Sequence, residues 1–82
     1  MEASVAVIGL GRVGLPLALS FAERGLETIG VERQQAVLDQ LEASQMPFSE
    51  TGTKELLNRV MAAEGLELTR AVQDAARADH IV

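Results

Sequence analysis

Short, continuous apolar runs alternate along the chain with longer segments whose apolar residues return every three or four positions. Runs of the first kind are typical of strands buried in a parallel sheet, and spacing of the second kind is typical of helices with one buried face. The pattern therefore predicts strands and helices in alternation. The predicted strands span 5–8, 27–31, 66–69 and 79–82, and the predicted helices span 13–24, 34–44, 53–63 and 71–78.

This alternation predicts the fold class. Successive strand–helix–strand units favour a parallel sheet with right-handed crossovers. We therefore expect an α/β, Rossmann-type three-layer fold with the partial strand order 3-2-1-4. The sequence stops within the predicted fourth strand. Because domains usually end at exposed positions, residues 1–82 are interpreted as the N-terminal part of one domain of a longer protein.

A glycine-rich segment carries the first candidate chemistry. Residues 9–14 read Gly-Leu-Gly-Arg-Val-Gly and fit the pattern G-x-G-x-x-G, between a predicted strand and a predicted helix, which is the context that a dinucleotide site requires. Gly9 is expected to make the tight turn, Gly11 to let the backbone approach a diphosphate, and Gly14 to let the helix pack closely on the strand. An ordinary strand-to-helix turn is the alternative interpretation.

The start of the predicted helix supplies the groups that hold a phosphate. Free N–H groups near Arg12 and Val13, together with the helix dipole, are expected to bind the diphosphate charge. The side chain of Arg12 is either a second phosphate contact or an ordinary surface charge, and the sequence favours neither.

An acid follows the glycine motif at the expected distance of about 20 residues. Glu32 stands at the end of the second predicted strand, where its carboxylate can accept hydrogen bonds from both hydroxyls of an adenosine ribose. The same carboxylate repels a 2′-phosphate, so NAD is the expected cofactor. Arg33 lies beside it and can accommodate a 2′-phosphate, which moderates that preference. A solvated loop acid is the alternative for Glu32.

Composition and charge narrow the classes of function. The net charge of −5 argues against nucleic-acid binding, which needs a basic face. The absence of cysteine excludes disulfides, thiolate metal sites and a cysteine nucleophile within these residues, and His80 alone cannot build a metal site. Residues 1–4 carry no basic segment and lead into no long apolar core, so no signal peptide is expected, and no apolar run is long enough to span a membrane. We expect a cytoplasmic protein without membrane or nucleic-acid partners.

Several segments together resemble the UDP-glucose/GDP-mannose dehydrogenase family. In that family the glycine motif runs directly into Leu-Pro, and a proline-containing loop and a further helix follow the second strand–helix unit. The corresponding segments here are Leu15-Pro16, Gly30-Val31-Glu32, the loop 46–52 with the following Glu55-Leu56-Leu57, and residues 78–82. Met-Pro-Phe at 46–48 is most similar to the branch that oxidises UDP-N-acetylmannosamine.

The resemblance implies oxidation of a sugar C6 hydroxyl to a carboxylate with two NAD molecules. It also implies a catalytic cysteine, assisted by a lysine and an acid. Since the chain has no cysteine, its catalytic residues are expected beyond residue 82, with the nucleotide-sugar site and homo-oligomer contacts. Lys54, the only lysine, is interpreted as a solvated charge, and Glu50 as a loop-capping acid. The sequence departs from the family pattern at Arg12, often aromatic, and at Val37, often basic.

Two other functions use a similar glycine loop. One is a β-hydroxyacid-type dehydrogenase. The other is the ligand-sensing domain of potassium channels and transporters, which also carries Gly-Leu-Gly-Arg-Val-Gly. The loop 47–52 and the following helix favour the nucleotide-sugar dehydrogenase over the β-hydroxyacid type. The additional helix predicted at 53–63 and the Leu15-Pro16 pair favour it over the ligand-sensing domain.

Overall fold

The computed structural model describes residues 4–48 and 52–82. These residues include one four-stranded parallel sheet in the order β3-β2-β1-β4, which confirms the predicted topology. The strands are β1 (Ser4–Ile8), β2 (Glu27–Val31), β3 (Leu66–Thr69) and β4 (His80–Ile81). The pairing along β4 reaches one residue past its end, because the Val82 N–H donates to the Ala6 carbonyl at 2.8 Å.

Three α-helices lie where the hydrophobic spacing predicts them, each slightly shorter than expected. They are α1 (Gly14–Glu23), α2 (Gln35–Glu42) and α3 (Thr53–Ala62). Gly25 follows α1 with a φ of +90°, a left-handed conformation that commonly ends a helix. Ser44 takes a left-handed φ of +57° after α2, which ends that helix two residues earlier than predicted.

The connection from β3 to β4 differs from the prediction of an ordinary short helix. It forms a 3₁₀ helix at Val72–Arg77. Before it, the Thr69 hydroxyl donates to the Asp74 carboxylate at 2.7 Å and accepts from the Ala71 N–H at 3.1 Å. These hydrogen bonds hold the chain in a compact turn between β3 and the 3₁₀ helix. Short 3₁₀ helices are common in connections of this kind.

One face of the sheet carries the larger core. Apolar side chains of α1, α2 and α3 pack there against residues of β1 and β3, and each fully buried leucine contributes about 1.5–3 kcal/mol. The buried members of this core are Val7, Leu10, Leu15, Ala18, Leu19, Leu41, Leu57, Val60 and Leu66. Leu10 belongs to the glycine loop, so the loop is anchored in the core of the domain.

The opposite face has a smaller core. Ala6, Ile29 and Val31 are covered there by Ala75 of the 3₁₀ helix. Three large apolar residues near this face are about half exposed: Ile8 at 45%, Val72 at 57% and Ile81 at 58%. The two faces are therefore unequally covered within the described residues. In the same part of the chain no helix has the length and apolar character needed to cross a membrane.

Candidate functional site

The glycine loop turns sharply where β1 ends. Gly9 has a φ of +89°, which suits glycine because it has no Cβ. Its N–H still donates to the Val31 carbonyl at 2.8 Å, so the turn begins while the chain is attached to β2. The loop consequently lies at the carboxyl edge of the sheet, where open α/β folds bind their ligands.

Gly14 and Gly11 have different surroundings. A Cβ on Gly14 would come within 1.9 Å of the Gly9 carbonyl oxygen and 3.4 Å of the Val7 side chain. Helix α1 can therefore approach the end of β1 only without a side chain at this position. A Cβ on Gly11 would meet nothing within 4 Å. The space beside the Gly11 backbone is thus open to a ligand.

The start of α1 offers hydrogen-bond donors. The N–H groups of Arg12, Val13 and Gly14 donate to no acceptor within residues 4–48 and 52–82. Val13, the N-cap residue, makes no side-chain capping bond, and the first turn carries no acid. Free donors and the positive end of the helix dipole therefore coincide at this point, an arrangement that favours an anion.

Glu32 reaches from the end of β2 to the glycine loop. One carboxylate oxygen accepts the Leu10 N–H at 2.9 Å, and the other accepts the N–H of Gln34, the N-cap of α2, at 3.0 Å. The structure thus brings the predicted acid and the predicted glycine loop together. Sequence reasoning missed that the carboxylate also joins the loop to α2, because the bond to Leu10 exists only once the two strands are paired.

Gly30 makes room for the glycine loop and was also missed as part of the site. A Cβ there would come 2.9 and 3.2 Å from the two methyl groups of Leu10. Leu10 is 1% exposed, so it has little freedom to move away. A glycine inside a predicted strand often marks the close approach of another segment, and this signal was available in the sequence.

Arg12 is directed toward the loop that follows α2. Its guanidinium carbon lies 5.2 Å from the centroid of the Phe48 ring, within the range of a cation–π contact. Phe48 in turn packs against the large core. This contact joins two loops that the sequence analysis treated separately, and it holds the Arg12 charge near the uncapped start of α1.

A cavity of 690 Å³ opens at the ends of the first three strands. It is lined by Ile8, Gly9, Val31, Glu32, Arg33, Gln34, Arg70 and Val72. Gly9, Glu32 and Arg33 were predicted site residues, whereas Arg70 and Val72 were not. They enter the cavity because Val31 pairs with Thr69, so the residues after β2 and β3 are neighbours.

Other candidate residues lie away from this cavity. Lys54 is exposed on α3, as expected for a solvated charge, and His80 is exposed on β4. Glu50 lies outside the described residues. No group of three His, Cys, Asp or Glu side chains in the two described ranges is arranged to hold a metal ion.

Comparison with known proteins gives a consistent result. The sequence model of the UDP-glucose/GDP-mannose dehydrogenase family, NAD binding domain, matches residues 3–82. The UDP-N-acetyl-D-mannosamine dehydrogenase of Campylobacter jejuni is 35% identical over 71 residues, which cover 87% of this chain and 17% of the relative. The enzyme of the same name from Pyrococcus horikoshii is 30% identical over 70 residues, or 85% and 17%. The chain therefore spans about a sixth of the length of these relatives.

Solved structures agree with the sequence matches. A UDP-glucose dehydrogenase from the hyperthermophilic archaeon Pyrobaculum islandicum superposes with a TM-score of 0.92 at 29% identity, covering 99% of this chain and 19% of that one. A ternary complex of GDP-mannose dehydrogenase from Pseudomonas aeruginosa gives a TM-score of 0.86 at 28% identity, covering 95% and 19%. These matches give no support to the ligand-sensing or β-hydroxyacid alternatives.

Proposed function

This chain belongs to the UDP-glucose/GDP-mannose dehydrogenase family as an NAD-binding domain, and we propose that it supplies the cofactor site of a nucleotide-sugar dehydrogenase. The observation that carries the proposal is the meeting of Glu32 with the glycine loop, beside the free N–H groups at the start of α1. The proposed enzyme oxidises a sugar C6 hydroxyl to a carboxylate with two NAD molecules.

The diphosphate of NAD is proposed to lie against the start of α1. The backbone N–H groups of Arg12, Val13 and Gly14 donate to its oxygens, and the open space at Gly11 admits it close to the backbone. Arg12, held against the Phe48 ring, adds a positive charge beside the same site. Gly9 shapes the turn that presents these donors.

The adenosine is proposed to occupy the cavity at the ends of the strands. A carboxylate has about four lone-pair sites, and the two hydrogen bonds that Glu32 accepts from the backbone leave sites on both oxygens. These can accept both ribose hydroxyls while the bond to the Leu10 N–H keeps the carboxylate in place. Arg33 lines the same cavity.

The residues of this chain bind and orient the cofactor, and bound NAD supplies the hydride acceptor. We propose that residues 1–82 are the N-terminal part of the NAD-binding domain of a longer, homo-oligomeric, cytoplasmic enzyme for polysaccharide biosynthesis. Because the chain spans 17% of its relatives, the groups that act on the sugar are proposed to lie outside it. UDP-N-acetylmannosamine is the favoured substrate, since both relatives carry its name.

A pair of glycine substitutions tests the diphosphate assignment. In Gly11→Ala, the added Cβ occupies the open space beside the loop, so calorimetry with NAD should show affinity falling about tenfold or more, the equivalent of one lost charge-assisted hydrogen bond. Thermal stability should change little because the Cβ meets no neighbour within 4 Å. Gly65→Ala is the matched control. Gly65 lies just before β3, and a Cβ there would come no closer than 3.6 Å to a neighbouring atom, the Val60 carbonyl oxygen. Unchanged NAD affinity in Gly11→Ala would remove the diphosphate from this loop.

A further inference from the structure

The cavity at the strand ends has a charge opposite to that of the whole chain. Its ionisable lining side chains are one carboxylate, Glu32, and two guanidiniums, Arg33 and Arg70, which together give +1 (2 − 1). The chain as a whole carries −5. Two of its seven Lys and Arg side chains therefore converge on one cavity.

Neither of these arginines forms an ion pair with another side chain within the described residues. The ion pairs within residues 4–48 and 52–82 are Glu23 with Arg59 and Glu67 with Arg77, both away from the cavity. Arg33 and Arg70 are exposed, and each guanidinium carries five N–H donors. Their donors are consequently available to a ligand in the cavity.

The sheet register places Arg70 close to Glu32. Val31 pairs with Thr69, and the Glu32 N–H donates to the Thr69 carbonyl at 2.9 Å. Glu32 and Arg70 therefore follow directly on two hydrogen-bonded strands, while Arg33 is the chain neighbour of Glu32. The carboxylate and the two guanidiniums therefore belong to neighbouring positions at one edge of the sheet and line the same cavity.

The proposed function places the adenosine ribose on Glu32, and this step rests on that assignment. A ribose with a free 2′-hydroxyl is neutral and requires no cation. A ribose with a 2′-phosphate is an anion that Glu32 repels and that guanidiniums bind through paired hydrogen bonds. Two arginines in the cavity of a single carboxylate therefore exceed what an unphosphorylated ribose requires.

We propose that Arg33 and Arg70 form a subsite for the 2′-phosphate of NADP that Glu32 holds closed. Glu32 is then the residue that determines the preference for NAD, and Arg70 is a second specificity-determining residue. Removing the charge of Glu32 opens the subsite. Glu32→Gln is the appropriate change, because the glutamine oxygen can keep one of the two backbone hydrogen bonds that the carboxylate accepts.

Binding of NAD and NADP, measured by calorimetry, tests the proposal through the ratio of the two affinities. In Glu32→Gln, the ratio of NADP to NAD affinity should rise about tenfold or more. Adding Arg70→Leu should reverse most of that rise. A change of about tenfold corresponds to the free energy of one hydrogen bond to a charged group. The matched control adds Arg24→Leu instead. Arg24 is exposed, follows α1 and does not line the cavity, but its loss changes the net charge equally.

The possible outcomes separate this proposal from the cofactor assignment. If adding Arg70→Leu to Glu32→Gln lowers the NAD and NADP affinities equally, Arg70 has no role in specificity. The same follows if adding Arg24→Leu lowers the ratio of NADP to NAD affinity as much as adding Arg70→Leu does. Absence of NAD binding by the unaltered chain would instead overturn the cofactor site. Should Glu32→Gln fail to fold, Arg70→Leu alone is measured with 2′,5′-ADP and 5′-AMP. Selective weakening of 2′,5′-ADP supports the subsite, and equal weakening refutes it.

Discussion

At the scale of single residues, two glycines of one loop have different physical roles. Gly14 is needed for packing, since a methyl group there would overlap the Gly9 carbonyl oxygen at 1.9 Å. Gly11 has no such neighbour within 4 Å, so the absence of its side chain matters only when a ligand approaches. The same residue type therefore contributes to stability at one position and to binding at the other.

Gly14→Ala should destabilise the folded chain by about 1–3 kcal/mol, the usual range for overpacking, because the clash is with backbone and cannot be relieved by a rotamer change. The free energy of unfolding from urea titration measures this loss. Gly11→Ala is the comparison and should stay within about 0.5 kcal/mol of the parent. Equal stability of the two variants would show that the close approach of α1 to the loop is not required.

The site residues show how far sequence reasoning reaches at this scale. The positions of Gly9 and Glu32 followed from local pattern and from the spacing that a paired strand and helix impose. The contact of Gly30 with Leu10 and the entry of Arg70 into the cavity did not, because both depend on which strand ends become neighbours in space. Arg12 could not be assigned for the same reason, since Phe48 lies far along the chain.

At the scale of elements, the contact between Arg12 and Phe48 joins the glycine loop to the loop after α2. A cation over an aromatic ring at an exposed site contributes about 0.5–1 kcal/mol. Phe48 is also packed against the large core, so it can fix the position of the guanidinium. Two segments with no regular structure therefore support each other beside the start of α1.

A double-mutant cycle measures this coupling. Arg12→Met and Phe48→Leu should destabilise the chain by less together than the sum of their separate effects, with a coupling of about 0.5–1 kcal/mol. Arg24→Met with Phe48→Leu is the control cycle and should be additive, because Arg24 follows the opposite end of α1. Additivity in the first cycle would mean that the ring and the guanidinium do not stabilise each other.

The positions of the strands and α-helices could be predicted from the sequence more accurately than the conformations of the segments that connect them. Strands and α-helices bury apolar residues at a fixed period, which the sequence displays directly. The 3₁₀ helix at Val72–Arg77 instead depends on hydrogen bonds between Thr69, Ala71 and Asp74. Such side-chain bonds compete locally with an α-helical turn and leave no periodic signal.

At the scale of the whole molecule, the two faces of the sheet are unequally covered. Three helices cover one face, whereas the other has the 3₁₀ helix and leaves Ile8, Val72 and Ile81 about half exposed. Within the described residues, no further strand pairs with the outer edge of β4. An uncovered apolar surface beside an open strand edge favours association between chains.

The isolated 82-residue chain should therefore associate as its concentration rises, and Ile81→Lys should reduce that association. The charge lowers the apolar area near the edge of β4 and opposes strand pairing there. Sedimentation velocity across a concentration series measures the effect. Ala36→Lys adds the same charge at an exposed position of α2 and serves as the control. A parent chain that sediments as a monomer at every concentration would contradict this expectation.

The double hydrogen bond of Glu32 has a thermodynamic and kinetic consequence. Since the carboxylate already bonds the Leu10 amide and the entry to α2, we expect the bend to be formed before any nucleotide arrives, so that docking requires little ordering of the backbone. The Leu10 amide should thus resist exchange with deuterated solvent in the apo state as strongly as in the holo state. Recognition at this bend becomes an encounter between preformed shapes rather than a folding event.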